Sequence, residues 1–240
     1  MAKVGAINEF VKKSSLVIKR TPDQKISVQG DFVYKSMRYE LSGQIDAVSG
    51  RPEPFRSKLS WGQEVVFEEV STFARGRTHR EYHYGKATSG VRLLVVNSER
   101  LMGGSIVTGF ADGRELLPYS RPHHQCSCDD PKKKPPRPLL VWGEGASTRP
   151  VGVSISTKAA PELEGLSKVM EHLAEQQQGD GTGDVGDIQW FLCYISCKIT
   201  EILCILRAIF TPGSDIFILI CTGIYGDCFD WCWVVGVPPS

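Results

Sequence analysis

"KISVQGDFVYKSMRYELSGQID", residues 25–46, sets the class of the fold. Ile26, Val28, Phe32 and Tyr34 alternate with polar or small residues, and Met37, Tyr39, Leu41 and Ile45 resume the alternation after a one-residue change of phase. A period of two puts every second side chain on the same face of an extended chain, so the stretch reads as strand rather than as amphipathic helix. The same reading extends to EVVFEEV (64–70), VRLLVVN (91–97), SIVTGF (105–110), LLVW (139–142) and VGVSIS (151–156), which are separated by Gly, Pro, Asn and Ser. Many short strands without helices between them predict an antiparallel β-sandwich or barrel, with the stretch up to Leu16 as a short helix laid across it.

The pattern changes near Ala160. In PELEGLSKVMEHLAEQQQ, Leu163, Leu166, Met170 and Leu173 recur at three- and four-residue spacing, and Pro161 suits a first helical turn. GDGTGDVGD (179–187) follows and reads as an exposed, flexible joint; its aspartates lack the alternation and closing Glu of a calcium-binding EF-hand loop. The expected organisation is a basic antiparallel β-domain (1–157), an amphipathic helix with a Gly/Asp linker (158–187) and a Cys-rich hydrophobic segment (188–240). The whole is an α+β chain.

That last segment holds six of the eight cysteines: Cys193, Cys197, Cys204, Cys221, Cys228 and Cys232. The gaps between them read the same in both directions, with the midpoint between Pro212 and Gly213 in a turn-forming TPGS. At 100° per residue the three cysteines of each half fall on one narrow face of a helix, whereas in a strand Cys204 would point away from its two companions. An antiparallel helical hairpin therefore pairs Cys193 with Cys232, Cys197 with Cys228 and Cys204 with Cys221. Three fates compete for these sulfurs: a disulfide ladder, a thiolate site for zinc or copper(I), or small buried hydrophobes in a reducing compartment. The four outer cysteines resemble the twin Cys-x3-Cys helical hairpins of the mitochondrial intermembrane space. The longer segment between them and the preceding β-domain depart from that pattern.

The net charge of +1 conceals a division. Residues 1–157 carry 24 Lys and Arg against 16 Asp and Glu, and residues 158–240 carry 4 against 11. The two parts attract each other, and the basic part also suits an anionic partner, either a membrane surface or nucleic acid. Arg75, Arg77, Arg80, Lys132, Lys133 and Lys134 are the candidate contacts, with Tyr82 and Tyr84 as stacking partners. Trp190, Trp231 and Trp233 gather at one end of the expected hairpin as a membrane-interface anchor would. Ile195, Ile199, Ile202, Leu203, Leu206, Ile209 and Phe210 point away from its cysteine stripe and need cover from the β-domain, a second copy or lipid.

Two further clusters carry metal-ligating residue types for zinc or copper: His79, Glu81 and His83 on one face of a strand, and His123, His124, Cys126 and Cys128 in a short loop. No nucleophile elbow, P-loop or HExxH is present, and no small-molecule substrate suggests itself. The expected function is non-enzymatic membrane association, including a regulated pore-former in which the acidic segment shields the basic domain. The alternatives are an assembly subunit that self-associates, a nucleic-acid binder and a thiolate metal or redox protein. The opening residues lack the apolar run of a secretory signal, so the expectation is cytoplasmic synthesis, with a membrane surface or an oxidising compartment as destination.

Overall fold

The computed structural model describes residues 4–46, 54–74, 77–85, 91–101, 104–122, 152–181, 183–209, 215–223 and 232. A short helix α1 (Val4–Val11) leads into nine strands: β1 (Ser15–Arg20), β2 (Lys25–Tyr34), β3 (Met37–Asp46), β4 (Phe55–Trp61), β5 (Glu64–Ala74), β6 (Arg77–Tyr84), β7 (Arg92–Leu101), β8 (Gly104–Ala111) and β9 (Arg114–Pro122). Two long helices follow, α2 (Gly152–Gly179) and α3 (Val185–Ile209), and residues 215–223 are again helical.

The strands pair antiparallel in sequence order, β1 to β9, as one meander. The sheet is α+β in context but it is not closed, so the predicted sandwich or barrel is corrected to a single open sheet carrying helices. Alternation shows that one face of a sheet is buried; it does not show whether a second sheet or helices cover it. The phase change after Tyr34 is the β2–β3 hairpin, in which Tyr34 pairs with Met37 and Lys35 takes a left-handed φ of 52°. At the β8–β9 reversal Asp112 and Gly113 both have positive φ, 50° and 78°. This is the Asp-Gly pairing that two-residue hairpins favour, because their turn twist then matches that of the strands.

VGVSIS is predicted as a strand, but its residues 152–156 lie at the start of α2. Ile155 stands four residues before Ala159 and eight before Leu163, so six alternating letters also fit the helical period, and α2 extends that stripe through Leu166, Met170 and Ala174, buried with Ala159 and Leu163. Pro161, expected at the first turn, is interior to this helix. LLVW (139–142) lies outside the described residues.

The buried face of the sheet and the helices share one core. Leu16, Ile18, Ile26, Val28, Phe32 and Leu41 from the sheet join Leu163, Leu166 and Met170 of α2 and Phe191, Ile195 and Ile202 of α3. Burying side chains of this size contributes about 1.5–3 kcal/mol each. The expected question of what covers the apolar side of α3 is thus answered for Ile195, Ile199, Ile202 and Leu206: they are buried in the core that the sheet shares with the helices. α2 approaches β2 closely because position 165 is glycine; a Cβ there would overlap the ring of Tyr34. Gln177 donates to the Leu16 carbonyl and ties the far end of α2 to β1.

Candidate functional site

The inner face of the sheet is apolar under α2 but changes character across its middle strands. Ser57 on β4 pairs in register with Glu69 on β5, Ser71 with Arg80 on β6, and Thr78 with Ser98 on β7. All six are buried. They form a polar band across the sheet, and α3 lays Lys198 and Glu201 over it, two residues three apart and therefore on one helix face.

The contacts form one network. Lys198 Nζ donates to Glu69 and to Glu201 Oε2, the latter at 2.8 Å. Arg80 donates to Glu201 Oε1, which also accepts from Tyr82 Oη at 2.7 Å. Ser57 Oγ donates to Glu69 Oε2 at 3.1 Å, and Ser71 Oγ donates to its other oxygen. The four charged side chains are at most 2% exposed. Two cations face two anions, so the cluster is neutral as a whole, which is the condition under which ionised groups persist in a core.

Burial opposes the charge on Lys198, Arg80 and Glu69, and their partners outweigh it. Lys198 is held above its ordinary value by Glu201 and Glu69 against the pull of burial, and Arg80 is likewise raised against burial by Glu201. Glu69 is held below the usual carboxylate range by Lys198 and Arg80 despite its burial. Burial pushes the Tyr39 hydroxyl up to about 12 and those of Tyr82 and Tyr194 well above their ordinary value. Lys198, Arg80 and Glu69 are therefore charged at neutral pH. Such an arrangement fixes the rotation and axial position of α3 on the sheet, because sliding the helix by one residue would strand two charges in apolar surroundings.

Two more ion pairs clamp the ends of the helical segment. Asp187, buried in the first turn of α3, accepts from Arg20 of β1 at 2.8 Å. Asp215, at the start of the 215–223 helix, accepts from Arg92 at 2.7 Å and from the Tyr84 hydroxyl. Each carboxylate sits at the positive end of a helix dipole and meets a guanidinium of the sheet. The division of charge between the two parts of the chain is expressed in these contacts.

The sulfur ladder is present in its two mirrored outer and inner layers. Cys193 is bonded to Cys232 with Cα atoms 5.5 Å apart, and Cys204 to Cys221 at 5.7 Å. Cys197 is disulfide-bonded as well; Cys228, its expected partner, lies outside the described residues. Among the described residues the one group of three metal-capable donors is Cys193, Cys197 and Cys232, with sulfurs within 4.8 Å of one another. In the oxidised protein these sulfurs are engaged in disulfides.

The other expected site residues are distributed as follows. Alternation along β6 is as read, but the face of Arg80, Tyr82 and Tyr84 is the buried one. Arg80 is therefore a core ion-pair residue rather than a head-group or nucleic-acid contact, and Arg77 belongs to the opposite, exposed face, where it pairs with Glu99 at 2.7 Å. His79 bonds Asn97 at 2.7 Å and Glu81 at 3.2 Å on that exposed face, whereas His83 is paired in register with Glu68, so the three expected metal ligands do not converge. Trp190 is buried and stacks on Tyr194 and against Phe55, a core aromatic and not an interfacial anchor. Arg75, Lys132, Lys133, Lys134, His123, His124, Cys126, Cys128, Trp231 and Trp233 lie outside the described residues.

Sequence reasoning missed Glu69, Lys198, Glu201 and Tyr82 as a unit. The signal was available: Glu69 shares the inward phase of Phe67, and Lys198 and Glu201 interrupt the apolar face between Tyr194 and Ile205. Compared with known protein families, with curated proteins and with solved structures, the chain matches none. Among the described residues no helix is long and apolar enough to cross a membrane.

Proposed function

We propose that this protein associates with anionic membrane surfaces, and that its acidic, disulfide-stapled helical segment restrains that association until it is displaced. The observation that carries the reading is a basic edge. Lys12 and Lys13 after α1 and Lys19 on β1 are exposed, flank the exposed Val17, and pair with no carboxylate among the described residues.

Three lysines contribute about 1 kcal/mol each at an anionic surface. That is short of stable anchoring, which takes a second signal. The second signal in this reading is apolar area now hidden between the sheet and α3. Displacing the hairpin would expose a meander whose strands β2, β3, β5 and β7, of 10 or 11 residues, match the length needed to span a bilayer, with one apolar and one polar face. A pore-former is the further form of the same idea. Glu69 and Arg80 on the apolar face oppose it, at about 2–4 kcal/mol for Arg80 at the bilayer midplane and less for Glu69. The disulfides fit a protein that matures in an oxidising compartment.

Co-sedimentation with vesicles of phosphatidylcholine, with and without phosphatidylserine, tests this on the full chain and on chain nicked at a protease site inserted in 180–184. The expected result is weak, salt-sensitive binding of the intact chain to the anionic vesicles and tight binding after nicking. No binding by either form ends the reading. A second reading, self-association, is favoured by Leu93, Ile106 and Phe110, which are exposed on the outer face of β7 and β8. A stable oligomer in light scattering that ignores lipid would support it instead.

A further inference from the structure

The sulfur of Cys197 lies 3.6 Å from that of Cys232, which is itself bonded to Cys193. Cys193 and Cys197 are one helical turn apart on the same face of α3, so both reach the same partner. Cys197 and Cys232 are buried and Cys193 is half-buried. We infer that Cys193, Cys197 and Cys232 form a thiol–disulfide exchange site that a dithiol reductant opens and that delivers its free thiol to Cys193, the accessible member.

Disulfide exchange needs a thiolate, a disulfide sulfur within reach, and approach along the S–S axis. The first requirement is met when a dithiol reduces the disulfide that holds Cys197: the dithiol is oxidised to its own disulfide, and Cys197 and its former partner become thiols. The second is met by the 3.6 Å contact, close to the separation from which intramolecular attack proceeds without diffusion. Rotation about the Cys197 side-chain bonds supplies the alignment. Cys197 thiolate then attacks Cys232 Sγ, the Cys193–Cys232 bond breaks, and its electron pair leaves on Cys193, which takes up the proton that Cys197 gave up. No further oxidant or reductant is consumed in that second step.

The consequence is a change of register. The helix stays linked to Cys232 through a residue one turn further along, while the Cys204–Cys221 bond holds the other end. A buried thiol is exchanged for a half-buried one, and a partner dithiol or disulfide protein gains access to it. The inference concerns the sulfurs alone and is independent of lipid binding.

The test is partial reduction of the full-length oxidised protein with limiting dithiothreitol, followed by acid quenching, alkylation and chymotryptic mass mapping, since cleavage after Tyr194 separates Cys193 from Cys197. The expected result is a two-thiol species in which Cys193 is alkylated and Cys197 is cross-linked to Cys232. Two-thiol species without a Cys197–Cys232 bond overturn the inference. A second measurement uses the Cys193→Ser chain, oxidised without reductant: Cys232 bonded to Cys197 supports exchange, and a freely alkylated Cys232 overturns it.

Discussion

Lys198 of α3 and Glu69 of β5, 129 positions apart, form an ion pair shielded from water on every side. Removing one partner leaves an uncompensated charge in the core, which costs about 3–5 kcal/mol, whereas removing both restores neutrality because Arg80 still faces Glu201. Lys198→Met should therefore lower the unfolding free energy by about 3–5 kcal/mol, and Glu69→Gln combined with Lys198→Met should recover most of that loss. Urea titration of the three chains decides it. Equal stability of the single and double variants would contradict the network.

The pH dependence follows from the direction of the Glu69 shift. Lys198 and Arg80 hold its folded pKa below the unfolded value, against burial, so its contribution is complete above the unfolded carboxylate range and is lost as pH falls through the folded value. The Glu69 pairing should stay intact down to the unfolded carboxylate range. Asp187 has the opposite sign: burial raises its folded pKa although Arg20 opposes the shift, so its ionisation works against folding as pH rises through that value. Denaturant curves should accordingly show Glu69→Gln losing the acid-side slope, and Asp187→Asn losing part of the opposing slope.

Gly165 supplies a test of how α2 sits on the sheet. In an exposed helix, glycine to alanine gains about 1 kcal/mol. Here a Cβ would overlap the Tyr34 ring, which also packs on Phe10, and overpacking of this kind costs about 1–3 kcal/mol. Gly165→Ala is expected to destabilise the wild-type chain and to stabilise one carrying Tyr34→Ala. Thermal melts of the double-variant cycle read the reversal of sign.

The two mapped disulfides close loops of different length, 17 and 39 residues in sequence separation. Chain entropy assigns about 3 kcal/mol to Cys204–Cys221 and about 4 kcal/mol to Cys193–Cys232. Replacing each pair by alanine should lower the melting temperature in that order. The reverse order would mean that the inner layer, not loop closure, dominates the stability of the helical segment.

Most of the strands were legible because half-buried β-structure alternates letter by letter, as Ile26, Val28, Phe32 and then Met37, Tyr39 and Leu41 do. The closure of the sheet was not legible, since the same alternation serves a sandwich, a barrel and an open meander under helices. The short VGVSIS run satisfies both periods at once, so six letters fit a strand and a helix alike. At the candidate site, the mirrored cysteine spacing gave Cys193–Cys232 and Cys204–Cys221 directly, since pairing by chain reversal is a local property of spacing. Arg80 and Trp190 are of residue types common at surfaces, yet both are buried in the core.

From the sequence alone came the strand pattern, the helical stripe, the division of charge and the sulfur pairing, all of them periodicities or counts along the chain. Only tertiary structure decided that α3 lies on the middle of the sheet, that Lys198 and Glu201 meet Glu69 and Arg80, and that Asp187 and Asp215 are gripped by Arg20 and Arg92. Those contacts join residues more than a hundred positions apart, and a buried charge finds its partner through packing geometry that no local pattern encodes.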